Sequence, residues 1–168
     1  IIEILPQRGS RVALIDLKLV EEAGFFRRTL ECAVVKLVCE KAAVKELSDD
    51  FVLALKANLN LQDFYLENPA PDKLMELDNE FHHLLFSCVD KERCYRMCCD
   101  IGIHFDRIRH LALHTVKELK IVGDHHDILS AICACDADRA YALMAAHLTR
   151  FEIDEKLIKN KYPEYFVN

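Results

Sequence analysis

Four side chains on three stretches of this sequence are of the kind that hold metal ions. Asp78 and His82 stand four residues apart in a segment where Met75, Leu85 and Val89 recur at spacings of three and four. On a helix such positions share one face. Leu74, Leu77, Phe81, Leu84 and Cys88 form the adjoining apolar stripe, which sets the pair in a broad buried face where a carboxylate needs a partner. His125 shares a face with Ile128, Leu129 and Ile132, while its neighbour His126 turns toward Ser130 and Cys133. His147 falls in a stripe with Ala140, Leu143, Met144, Phe151 and Ile158. An Asp and a His one turn apart approach one ion from the same side, and two imidazoles from other helices complete four ligands. Such a set suits zinc, nickel, iron or manganese and, having no thiolate, need not be closed.

Spacing alone leaves other readings open. Each histidine can be a hydrogen-bonded core residue, and an Asp–His pair at i, i+4 can cap or salt-bridge. His104, His110 and His114 form a rival set, the last two again four apart. Eight cysteines are present, but none makes the paired short-spaced knuckles of a structural zinc site, and we read them as reduced thiols packed as small hydrophobes. Arg27 emerges from a mostly apolar stripe of Val20, Ala23, Leu30 and Val34 and must find an anion. Glu31, one turn later, can supply it locally. Alternatively the guanidinium faces a cavity and, with a metal, clamps a carboxylate effector in bidentate fashion. Arg107 and Arg109 are secondary candidates for that role.

Helices must position these groups. Hydrophobic residues make up 52% of the 168, and only 4 Gly and 4 Pro punctuate them, which favours long helices on short connections around one core. Asp16 can cap a helix from Leu17 to about Lys41, and Ser48 a second to about Glu67, before Asn68-Pro69-Ala70-Pro71 breaks the chain. A third runs from Asp72 to about Val89. Asp90 opens a long fourth to the region of Lys120, interrupted only at Gly102; Gly123-Asp124 opens a short fifth to Cys133; Asp136 opens a sixth to about Lys159. Ahead of them, Ile1 to Ala13 reads as two β-prone pieces around Pro6-Gln7-Arg8-Gly9-Ser10, a hairpin. The expected fold is all-α, an antiparallel bundle of about six helices behind a hairpin. A formal net charge of −6 argues against nucleic-acid binding by this chain alone. With no apolar run of membrane-spanning length and no signal peptide, a soluble cytoplasmic protein is expected. The start at Ile1 suggests a truncated or processed product.

Asp78-Asn79-Glu80-Phe81-His82-His83-Leu84-Leu85, His125-His126-Asp127-Ile128-Leu129-Ser130-Ala131-Ile132 and the stretch from Asp136 to Leu148 resemble three segments of one family. It is the GntR type of bacterial transcription regulator, FadR-like branch, in its C-terminal metal-binding (FCD) effector domain. Arg27-Arg28-Thr29-Leu30-Glu31 is similar to the signature of that domain's first helix, and Leu5-Pro6-Gln7-Arg8-Gly9-Ser10 to the tip of the wing of the DNA-binding domain. The resemblance implies Asp78, His82, His125 and His147 as metal ligands, the set that helical spacing turns inward, holding one divalent ion per chain. Zinc is expected, with nickel, iron or manganese as alternatives. Residues 1–14 would be a remnant wing and 15–168 the effector domain. The sequence departs from the family where Cys135 replaces a Gly, Val89-Asp90 a Gly-Asn, and Asp124 a Glu.

The function so implied is that of a homodimeric, cytoplasmic ligand sensor. It would bind a small organic acid such as a sugar acid, hydroxy acid or fatty-acid derivative, with no membrane partner, and would meet operator DNA only through the missing N-terminal domain. An enzyme is not expected. A hydrolase would need a general base aimed at metal-bound water, and Glu80, the nearest in sequence, faces away from the Asp78–His82 side. A purely structural dimerisation module is the third reading.

Overall fold

The computed structural model describes residues 2–115 and 120–167, and their side chains apart from those of 151–155. Strands β1 (Ile2–Leu5) and β2 (Gly9–Val12) pair antiparallel, with Ile2 opposite Val12 and Leu5 opposite Gly9. The hairpin turns through Gln7 and Gly9, both at positive φ. Its side chains lie almost wholly in the open.

Eight helices follow among the described residues. They are α1 (Leu17–Ala43), α2 (Asp49–Glu67), α3 (Pro71–Cys88), α4 (Glu92–Ile101), α5 (Ile103–Leu113), α6 (Ile121–Cys133), α7 (Ala137–Leu148) and α8 (Arg150–Lys161). Their starts follow the local chemistry. Asp16, Ser48 and Asp136 each accept a backbone N–H of the first turn, satisfying donors that the helix leaves unpaired. Pro71 opens α3, where its missing N–H costs nothing.

Two of the six expected helices are split. The fourth breaks at Gly102, where a Cβ would come within 2.8 Å of the Cys98 carbonyl oxygen, so the tight joint between α4 and α5 has room only for glycine. The region toward Lys120 in which that helix was expected to end includes residues 116–119, outside the described residues. The sixth breaks at Thr149. Its hydroxyl donates to the carbonyls of Ala145 and Ala146, back-bonding that bends a helix. Phe151, placed by spacing in the His147 stripe, lies among the side chains not described.

Helix α1 is central and packs on α3, α4, α5, α6 and α7. The larger core joins Val35, Val38, Leu55, Phe81, Phe86, Ile128, Ile132 and Met144. A smaller one gathers Ile15, Val20, Phe105, Ile108, Ile158 and Phe166, where Ile15 exchanges backbone hydrogen bonds with Tyr165 and Val167. The polar cluster described next lies where α1, α3, α6 and α7 meet.

Candidate metal centre

Helix α3 carries Asp78 and His82, α6 carries His125 and α7 carries His147; all four side chains are buried. One ligand atom from each lies within 4.8 Å of the others. The Nε2 atoms of His82 and His125 both stand 3.2 Å from Nε2 of His147. Asp78 places Oδ1 3.5 Å from Nε2 of His125 and Oδ2 3.9 Å from Nε2 of His82.

The outer partners decide where the ring protons sit. On α2, Asn58 Nδ2 donates to the Leu77 carbonyl at 3.0 Å and to Glu80 Oε2 at 2.9 Å. Because both are acceptors, the amide oxygen of Asn58 points the other way and accepts from Gln62 Nε2 at 2.6 Å. Gln62 therefore turns Oε1 toward His125 Nδ1, 2.9 Å away, and His125 must carry its proton there. Likewise Nδ1 of His147 faces Asp124 Oδ2 at 3.3 Å. Nδ1 of His82 contacts Glu31 Oε2, and neither atom has a hydrogen-bond partner elsewhere among the described residues.

Burial keeps the rings neutral. It drives His125 well below the usual imidazole range, helped by His147 and His82. It lowers His82 against the pull of Glu31, and it lowers His147 to about 4 against the hydrogen bond that His147 donates to Asp124. Glu31 resists its own burial and stays ionised because Arg27 and His82 flank it.

With one proton per ring, held on Nδ1, three Nε2 lone pairs converge on one another and on Asp78. Among the described residues no donor stands between the three nitrogens. Such a knot of buried acceptors calls for a cation. A tetrahedral ion with bonds of about 2.1 Å has ligand-to-ligand edges of roughly 3.4 Å, and the separations found here bracket that value. The residues present fit a metal, and the outer Glu31, Gln62 and Asp124 are the sort of partners that orient metal-bound imidazoles.

Two guanidiniums border the cluster. Arg27 pairs through Nε with Glu31 Oε1 and lies over the Phe105 ring, 5.5 Å from its centroid; its Nη atoms make no hydrogen bond among the described residues. Burial presses its pKa down, but Glu31, with Asp106 adding to it, leaves it raised. Arg109 Nη2 contacts Asp78 Oδ2, and Nη1 reaches Asn79 Oδ1 at 2.9 Å and Asp106 Oδ1 at 2.7 Å. Burial and the nearby Arg27 press its pKa down against the pull of Glu31, but a guanidinium inside a protein stays protonated, and here it meets the Asp78 carboxylate.

The remaining candidates lie elsewhere. His126 faces solvent and Asp63. His104 Nδ1 accepts the Asp16 backbone N–H at 3.2 Å. His110 and His114 meet Asp72 and not His104. Arg107 donates to the Ala13 carbonyl at 2.8 Å. Glu80 points to Asn58 on the α2 side. All eight cysteines are free thiols and none joins the cluster. Sequence reasoning missed Gln62 and Asn58, although two amides at i, i+4 beside Leu55 and Leu59 are the same kind of polar intrusion that flagged the histidines. Helical spacing pairs Glu31 with Arg27, and in the structure it meets His82 as well.

Residues 22–150 match the FCD domain family. The chain belongs to that family, and it is the effector domain of a GntR-type transcription regulator. Its relatives include the HTH-type transcriptional repressor RspR of Escherichia coli strain K12, 28% identical over 167 residues that cover 99% of this chain and 71% of the relative. A second is an uncharacterized HTH-type transcriptional regulator in an unstable DNA locus of Streptomyces ambofaciens, 27% identical over 170 residues covering 99% and 68%. No described helix is long and apolar enough to cross a membrane.

Proposed function

We propose that this effector domain senses a small organic acid through a divalent transition metal held by Asp78, His82, His125 and His147, with zinc the expected ion. The observation that carries the reading is the convergence of three Nε2 atoms from rings whose Nδ1 atoms are each engaged from behind, which leaves Nε2 as the lone-pair side. Bound there, the ion would supply a Lewis-acidic pole with room for a further oxygen ligand.

Charge balance supports an acidic effector. A divalent ion with Arg27 and Arg109 outweighs Asp78, Glu31 and Asp106 by one positive charge, so an anion entering this region restores neutrality. Arg27, whose Nη groups make no hydrogen bond among the described residues, offers a planar fork that matches a carboxylate. The acid acts by binding one arrangement of the helices more tightly than another. In this reading the regulator is a homodimer, residues 1–14 form the last hairpin of a winged helix, and operator DNA is met through that domain.

Metal analysis of protein purified without an affinity tag tests the ion: His147→Ala should remove it while His126→Ala keeps it, and equal losses would sink the ligand assignment. Calorimetry with sugar acids, hydroxy acids and dicarboxylates tests the effector. Arg27→Ala should retain metal yet weaken acid binding by about 1.5 to 3 kcal/mol, the worth of a hydrogen bond to a charged group. Unchanged affinity would return Arg27 to its pairing with Glu31.

A further inference from the structure

A second group of metal-ligating side chains lies on the surface where the start of α3 meets the end of α5. Asp72, in the first turn of α3, places Oδ1 2.9 Å from Nε2 of His110 and 3.8 Å from Nε2 of His114. The two imidazoles stand one turn apart with ring centroids 4.6 Å from each other, and a ligand atom from each of the three residues lies within 4.8 Å of the others. Both rings aim the same nitrogen at one carboxylate oxygen. An exposed ion pair needs only one ring and contributes little; two imidazoles and a carboxylate converging from two helices describe a coordination corner.

We propose that Asp72, His110 and His114 form a second, surface site for a divalent cation that favours imidazole, of the zinc, nickel or copper class. Neighbouring ligands around an ion with bonds of about 2.0 to 2.2 Å lie roughly 3 to 3.5 Å apart, so small rotations of the exposed side chains close the set, and water fills the remaining positions. The position gives the ion a structural consequence. Helix α3 also carries Asp78, and α5 also carries Arg109, which holds Asp78 from the residue beside His110. A cation at the surface fastens the same two helices outside that the Arg109–Asp78 contact joins inside.

The test is ion stoichiometry by native mass spectrometry on untagged protein equilibrated with zinc or nickel chloride. The parent should hold about two ions at saturation, and the surface variant His110→Ala/His114→Ala about one. His147→Ala should keep an ion that disappears when the two surface substitutions are added. The surface variant touches only exposed residues, so its folding, checked by circular dichroism, does not confound the count; Asp72→Asn should weaken the second ion at least tenfold in a zinc titration. An unchanged zinc isotherm and stoichiometry in the surface variant overturn the proposal. The outcome is distinct from failure of the buried site: a parent ion lost on surface substitution but indifferent to His147→Ala would refute the buried assignment and uphold this one.

Discussion

His82, His125 and His147 each commit Nδ1 to a partner on another helix, leaving Nε2 aimed at a common centre. His110 and His114 turn Nε2 to one oxygen of Asp72, and their Nδ1 atoms have no partner among the described residues. The chemistry is almost the same and the surroundings are opposite. A buried imidazole must satisfy both nitrogens within the protein, so its orientation is set before any ion arrives. Exposed rings satisfy themselves with water and must be immobilised on binding, at about 0.5 to 1.5 kcal/mol per side chain. The buried set should therefore bind more tightly, and its occupancy should be tied to folding, whereas the surface set should fill only at higher metal concentration.

The largest effect expected from that contrast is on stability. Stripping a buried ion present at about 1,000 times its dissociation constant removes roughly 4 kcal/mol, which for a domain of this size lowers Tm by about 8 to 16 °C. Calorimetric scans with and without chelator check this. A drop abolished by His110→Ala/His114→Ala but not by His147→Ala would invert the comparison.

Next in size is the response of the metal-free protein to acid. Burial lowers the folded pKa of His147 to about 4, below the value near 6.5 of a solvated imidazole. Between these limits the unfolded chain binds a proton that the folded one does not, so stability is full above about pH 6.5 and falls as pH drops toward 4, by on the order of 3 kcal/mol from this residue. His82 and His125 shift in the same direction. Urea titrations of apo protein across this window should show the loss; a flat profile would mean the rings are not held neutral.

Gln62→Leu should do less. It removes the acceptor behind His125 and should weaken metal binding about 10- to 100-fold, the usual cost of losing an outer partner. Among the described residues the surface cluster has no equivalent partner to delete. The smallest effect concerns that cluster without metal: His110→Ala should change apo stability by no more than about 1 kcal/mol, as for an exposed ion pair, measured by denaturant midpoint.

Much of the scaffold was legible because helical spacing and capping residues act locally. The inward choice of His125 over His126 is of this kind: 125 shares its face with Ile128 and Ile132, and that face is the one buried. Helix ends were harder. Helices α1, α3 and α6 all finish in the left-handed turn that glycine usually supplies, here at Lys45, Asp90 and Cys135, with φ near 60°. The N–H of each following residue returns to a carbonyl five back, as from Asp136 to Ala131 at 3.0 Å. The replacement of the family's Gly by Cys135 thus keeps the turn, at a backbone cost of about 1 to 2 kcal/mol. The break at Thr149 was invisible because a lone threonine inside an apolar period is an ordinary helical residue until its hydroxyl finds a carbonyl.

What the sequence determined by itself is periodic: which side of each helix is apolar, and hence that Asp78, His82, His125 and His147 intrude on buried faces. Only the tertiary structure decided which atoms of those residues meet. The proton on His125 sits on Nδ1 because Leu77, on another helix, offers Asn58 a carbonyl and so turns Gln62 around. Glu31 bridges Arg27 and His82 because α1 crosses α3 at that level. Spacing along one helix encodes a face, whereas tautomer and partner depend on contacts between different helices, from 19 to 65 positions apart in the chain, which no local pattern records.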